Sequence, residues 1–241
     1  MSALSSPRPS ASLPPASLPP AAPATLVIDG HPNPDSLCAA LARSYVAGDP
    51  QARLLAVRDL DFDVHMRYGY ARRMAIEPDL AQARAAIRDA RHIVVVTPVW
   101  WRSIPALLKG FLDRALLPGE DFRYGKNGLP EGLLAGRSAR VIATADTPLW
   151  LQPLLPDTRL RSLSKGTLAF CGLKPVSHTR FAPVKDATPE QRAGWLSEVE
   201  QLAAREARRL ASASANAGAS VRAGARVRAS DSAGAKVGAV A

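Results

Sequence analysis

The stretch His92–Pro98, HIVVVTP, constrains the fold more than any other part of the chain. Its interior, Ile93-Val94-Val95-Val96, is unbroken β-branched apolar residue. A strand with one face in water alternates apolar and polar side chains, and this one does not. Both of its faces must therefore be buried, as in a parallel sheet covered by helices on two sides. The surrounding sequence supplies such a sheet. Short apolar runs at 25–29, 52–60, 138–145 and 175–184 read as further strands. Helical periodicity lies between and after them at 36–47, 79–90, 104–116, 162–172 and 188–210. Thr188 reads as an N-cap, with Pro189 at the first helical position and Gln191 two residues on. Right-handed crossovers make this alternation a doubly wound α/β domain with a five-stranded parallel sheet.

The two ends read differently from this body. Residues 1–23 hold seven prolines and the repeat ASLPPASLPP, too little apolar surface to offset the entropy of ordering. This leader has neither the charge nor the apolar run of a secretory signal. Residues 211–241 are Ala-, Ser- and Gly-rich with scattered Arg, and read as a flexible tail. The folded domain is expected over 24–210. No apolar run is long enough to span a bilayer. Cys38 and Cys171 are the two cysteines, with no metal-ligand spacing, which implies a reduced, cytoplasmic setting. Of the net charge of +10, the tail carries +3 and the leader +1, leaving a moderately basic body of +6. Such a body attracts small anionic ligands; it lacks the aromatic-interleaved basic stripe of a nucleic-acid binder.

A doubly wound sheet binds ligands beyond the carboxyl ends of its strands. Three loops there carry the distinctive residues. The first, GHPNPDSLCAA at 30–40, combines a turn glycine, His31, and a helix start capped by Asp35 or Ser36. Unpaired amides at a helix start suit a phosphate. Neither a GxGxxG nor a P-loop pattern is present. The second is Val99-Trp100-Trp101-Arg102-Ser103, after Pro98. Its adjacent aromatic rings suit a flat heteroaromatic ligand, with loop amides reaching the ligand's heteroatoms. The third, ATADTPLWLQPLL at 143–155, offers Thr144, Thr147 and Asp146 beside a stiff flap of Pro148 and Trp150. Capped turns and buried or interface tryptophans are the ligand-free alternatives for these loops. His65, His92 and His178 form no triad or metal cluster.

On the segments GHPNPDSLCAALA, TPVWWRSIPALLKGFLDRAL, GLLAGRSARVIATADTP and KGTLAFCGLKPV, the chain resembles the flavodoxin-like NAD(P)H:quinone oxidoreductases of the DT-diaphorase type. The resemblance covers about 24–207. It implies a bound flavin, FMN or FAD, with NAD(P)H as co-substrate and a quinone as acceptor. It also implies a homodimer whose sites are completed by the second subunit. By the same resemblance His31, Ser36, Leu37 and Cys38 would lie along the phosphate and ribityl chain. Pro98, Val99, Trp100, Trp101 and Arg102 would border the isoalloxazine, with Trp101 the better stacking candidate. Thr144, Ala145 and Asp146 would close its other side, and Tyr124 would face the substrate as the candidate catalytic residue. The segment 63–78 resembles the region that covers the site or forms the dimer interface. The sequence departs from the family pattern at Cys38, where Asn is common, and at ATAD, where TTGG is common. The Tyr/His pair found beyond the third loop in some members has no match here. Two other roles share this architecture: an electron-carrier flavodoxin and a regulatory flavoprotein of a potassium-efflux system.

Overall fold

A computed structural model describes residues 25–148, 150–151 and 160–234. The leader expected at 1–23 lies outside the described residues. Five strands form one parallel sheet: β1 (Thr25–Asp29), β2 (Ala52–Ala56), β3 (His92–Pro98), β6 (Ser138–Thr144) and β7 (Val176–Phe181). Their spatial order is β2-β1-β3-β6-β7. The chain runs outward from β1 to β2, then returns to place β3 on the other flank of β1. This reversal creates a switch point between β1 and β3. The expected flavodoxin-like doubly wound sheet is the observed one.

The central strand shows why. On β3, Ile93 and Val95 join one apolar cluster, and Val94 and Val96 the other. The first cluster takes in Leu80, Ala83 and Ile87 of α2 (Pro78–Asp89) and Leu108, Phe111 and Leu112 of α3 (Ala106–Ala115). The second takes in Leu41 and Tyr45 of α1 (Leu37–Gly48) and Val199 and Ala203 of α5 (Pro189–Gly234). Each buried Leu, Ile or Phe contributes about 1.5–3 kcal/mol of transfer free energy. Moving the register by one residue would turn both faces the wrong way.

At the amino-terminal edge of the sheet, a buried polar network ties α5 down. Glu206 accepts from Tyr45 Oη on α1 at 2.7 Å and from Arg140 Nη2 on β6 at 2.8 Å. His92 Nε2 stands 3.4 Å from the same carboxylate, while its Nδ1 meets Ser138 Oγ at 2.8 Å. His92 is thus a buried structural residue.

Several boundaries differ from expectation. The second strand stops at Ala56 and becomes a 3-10 turn, Val57–Asp59. The expected helix at 162–172 is a short α4 (Arg161–Leu163) that widens into a π turn, Ser164–Leu168. A small hairpin, β4 (Phe122–Tyr124) with β5 (Pro130–Gly132), stands between α3 and β6. Gly132 packs directly on the backbone of Gly172, where neither position has room for a Cβ. The helical backbone of α5 runs to Gly234, through most of the stretch expected from 211 as a flexible tail. Alanine-rich composition, read as tail-like, is also the strongest helix former. At its start Gln191 N–H donates to Thr188 Oγ1 at 3.2 Å, and Thr188 N–H to Gln191 Oε1 at 2.9 Å. That is the reciprocal capping the sequence predicts. Among the described residues no helix is long and apolar enough to cross a membrane, and no His/Cys/Asp/Glu group could hold a metal.

Candidate functional site

The carboxyl ends of β1, β3 and β6 leave an open cleft at the switch point. His31, Ser36, Leu37 and Cys38 form one wall, and Pro98, Val99 and Trp100 the next. Thr144, Ala145 and Asp146 close it. These are ten of the twelve residues that the resemblance assigns to a flavin. Val184 completes the lining and was missed. Its signal was available in the strand order: β7 flanks β6, so the segment after β7 must lie beside the loop after β6. Val184 N–H donates to Ala145 O at 3.0 Å.

The first wall is built by the exit from β1. Gly30 extends the ladder, donating to Val96 O at 2.9 Å. A Cβ at Gly30 would lie 2.5 Å from Leu108 Cδ2, so glycine is needed for close approach to α3. Buried Asp29 accepts His31 N–H at 3.1 Å through Oδ1 and pairs with Arg58 Nη1 at 2.5 Å through Oδ2. Asn33 N–H donates to His31 Nδ1 at 3.0 Å. With Nδ1 accepting, the proton of the neutral ring sits on Nε2, which becomes a donor. Burial lowers the His31 pKa, outweighing the attraction of Asp29, so the ring is neutral at physiological pH.

Ser36 caps α1, accepting Ala39 N–H at 3.1 Å. Its own hydroxyl proton is free to donate. The first-turn amides of Leu37 and Cys38 have no intrahelical acceptor, as at any helix start. Cys38 is buried with Sγ 3.2 Å from Thr144 Oγ1, and burial pushes its thiol up to about 12. It is a neutral wall group, not a nucleophile.

The second wall departs from expectation. Val99 N–H is taken by Thr144 O at 2.8 Å, and Ala145 N–H by Phe181 O at 3.1 Å. Trp100 and Ser103 exchange backbone hydrogen bonds of 2.9 and 2.8 Å, closing a two-residue turn. Trp101 and Arg102 fill that turn with φ of 50° and 61°. Such turns favour Asn and Gly, and a bulky residue there is strained. The loop amides are therefore largely used within the protein, because the ladder runs one residue further and the turn is so tight. Those of Trp101 and Arg102 alone in this turn find no protein acceptor among the described residues. The ranking of the tryptophans also changes. Trp100 lines the cleft, its ring edge-on to His31 with centroids 5.3 Å apart, whereas Trp101 is 100% exposed. Neither Trp101 nor Arg102 lines the cleft within one chain.

On the third wall, Asp146 Oδ1 accepts Lys185 N–H at 2.8 Å. Its carboxylate thus braces the segment after β7. Tyr124 is not brought to this cleft. The β4–β5 hairpin carries it over the flank of α3, where it lines a separate hollow with Tyr70, Lys109 and Phe170. Trp150 is exposed, and Leu149 and residues 152–155 of the expected third loop lie outside the described residues.

The strand order, with a donor-rich cleft at its switch point, defines a doubly wound α/β domain of the flavodoxin kind. The chain belongs to the flavodoxin-like fold family, whose model matches residues 23–203. The human ribosyldihydronicotinamide dehydrogenase [quinone] is 31% identical over 147 residues, spanning 58% of this chain and 62% of that protein. FMN-dependent NADH:quinone oxidoreductase 3 of Bacillus anthracis is 33% identical over 124 residues, 51% of this chain and 55% of that one. The chain thus matches under two thirds of the length of these curated relatives. Among solved structures, Smu.1420 of Streptococcus mutans UA159 superposes with a TM-score of 0.68 at 27% identity, covering 75% of this chain and 98% of that one.

Proposed function

We propose that the chain is a flavin-dependent NAD(P)H:quinone oxidoreductase working by a ping-pong mechanism. The observation that carries this reading is the gathering of ten resemblance-assigned residues, from three separate loops, around one cleft at the β1/β3 switch point. The names of the relatives support the activity, and the Bacillus anthracis name supports FMN over FAD.

The residues present suit a flavin mononucleotide. Ser36, the first-turn amides of α1 and His31 Nε2–H are donors grouped where an anionic phosphate would be held. Val99, Pro98 and Trp100 give an apolar wall for a planar ring. When bound, the flavin supplies hydride exchange, first from a nicotinamide and then to a quinone. The protein's share is to hold the ring, shed water from the apolar wall, and keep one face open for two partners in turn.

A homodimer belongs to this reading. The fully exposed Trp101, with Tyr124, Tyr68 and Tyr70, leaves aromatic surface that a second copy would cover. Cytoplasmic location is part of the same proposal. The test is purification, reconstitution with FMN, and steady-state oxidation of NADH and NADPH with a quinone. Parallel double-reciprocal lines and a visible flavin spectrum are expected. Flavin binding without NAD(P)H oxidation would favour an electron carrier instead, and protein that cannot be reconstituted would sink the proposal.

A further inference from the structure

Arg58 lies on the 3-10 turn after β2 and lines none of the cleft. Its contacts nevertheless converge on the root of the first loop. Nη1 meets Asp29 Oδ2 at 2.5 Å and His31 O at 3.1 Å. Through Asp29 Oδ1 the same pair also holds His31 N–H at 3.1 Å. The side chain is 12% exposed, and its Nε makes no hydrogen bond, standing 3.8 Å from Asp59 Oδ1. A largely buried ion pair with an unsatisfied nitrogen is a poor way to stabilise a turn; apolar packing does as well or better.

What an apolar residue could not do is grip His31 on both sides, its carbonyl directly and its N–H through Asp29. With the backbone fixed, the ring is held so that Nδ1 takes Asn33 N–H and Nε2–H is left as the donor. The next links continue the chain: Asn33 Oδ1 accepts Asp35 N–H at 2.9 Å, immediately before the Ser36 cap. We propose that Arg58 is a positioning residue: paired with buried Asp29, it sets the first loop so that His31 presents Nε2–H to an oxyanion, such as a phosphate monoester, in the cleft. This rests on the flavin reading given above.

The experiment compares FMN dissociation constants, from quenching of flavin fluorescence, for wild type, Arg58→Met, His31→Ala and the double variant. Asp29→Asn/Arg58→Met serves as a charge-balanced version should the single change unfold the protein. Arg58→Met should raise the dissociation constant about tenfold when His31 is present and less than about twofold when it is Ala. Equal increases in both backgrounds, or none in either, would overturn the proposal. Nitrogen-15 imidazole spectra of the flavin-free protein give an independent measure. Wild type should show His31 as the Nε2–H tautomer, and Arg58→Met a mixture. An unchanged tautomer would overturn the proposal even if FMN affinity fell. Wild-type protein that binds no FMN would sink the function proposed above, while the imidazole spectra would still decide the role of Arg58.

Discussion

Cys38 Sγ and Thr144 Oγ1 lie 3.2 Å apart, joining the first turn of α1 to the last residue of β6 across the floor of the cleft. The pair floors the cleft with one neutral thiol and one hydroxyl.

That thiol should be inert. Burial raises both Cys38 and Cys171 to about 12, so each stays protonated and unreactive through neutral and mildly alkaline pH. At about pH 8, near the ordinary thiol pKa, native protein should release almost no chromophore from a disulfide reagent. Both cysteines should react after unfolding. Rapid labelling of Cys38 in the native state would contradict the buried geometry.

The two tryptophans should separate cleanly. Trp100→Ala removes cleft wall and should raise the FMN dissociation constant about fivefold, within the range for one aromatic contact. Trp101→Asn should affect affinity less and raise Tm by about 2 °C, because Asn tolerates the left-handed backbone that Trp101 holds under strain. Calorimetry checks the second effect; a lower Tm would show that the turn is not strained.

Glu206 should make folding sensitive to acid. Burial pushes its pKa up, but the His92 imidazole 3.4 Å away and hydrogen bonds from Arg140 and Tyr45 outweigh that and hold it below the usual carboxylate range. A depressed folded-state pKa gives stability that is full above the unfolded value, about 4.3, and is lost as pH falls below it. Glu206→Gln should lower stability at neutral pH by about 2–4 kcal/mol and flatten the acid-side slope. Urea midpoints measured from pH 7 downward would show it, and a parallel slope in the variant would refute it.

Gly30→Ala should be destabilising by about 1–3 kcal/mol, since the added methyl would press on buried Leu108. Thermal melts should fall by several degrees, about 2–4 °C per kcal/mol for a domain of this size.

The sheet was legible because its signal is local. Ile93 to Val96 cannot be half-exposed, and five such runs with helices between leave few topologies. The cleft was legible for a related reason: strand ends fix where His31, Trp100 and Thr144 must meet. What the sequence hid depends on tertiary detail. The Trp101–Arg102 turn carries no Asn or Gly to announce it, so the loss of free amides at Val99 and Trp100 was invisible. The β4–β5 hairpin rests on three-residue strands held against Gly172, too short for any periodicity. Arg58 gave no signal at all, because its partners lie 27 and 29 residues away.

Helix α5 has 46 residues. At 1.5 Å per residue a continuous helix of that length measures about 70 Å, against a radius of gyration of about 16 Å for a compact body of some 180 residues. Val199, Ala203 and Glu206 pack its first half against α1 and the sheet. The Stokes radius will exceed that of a sphere of equal mass, and a monomer will elute early enough to imitate a dimer. Subunit number is therefore best taken from light scattering, which weighs the particle regardless of its outline.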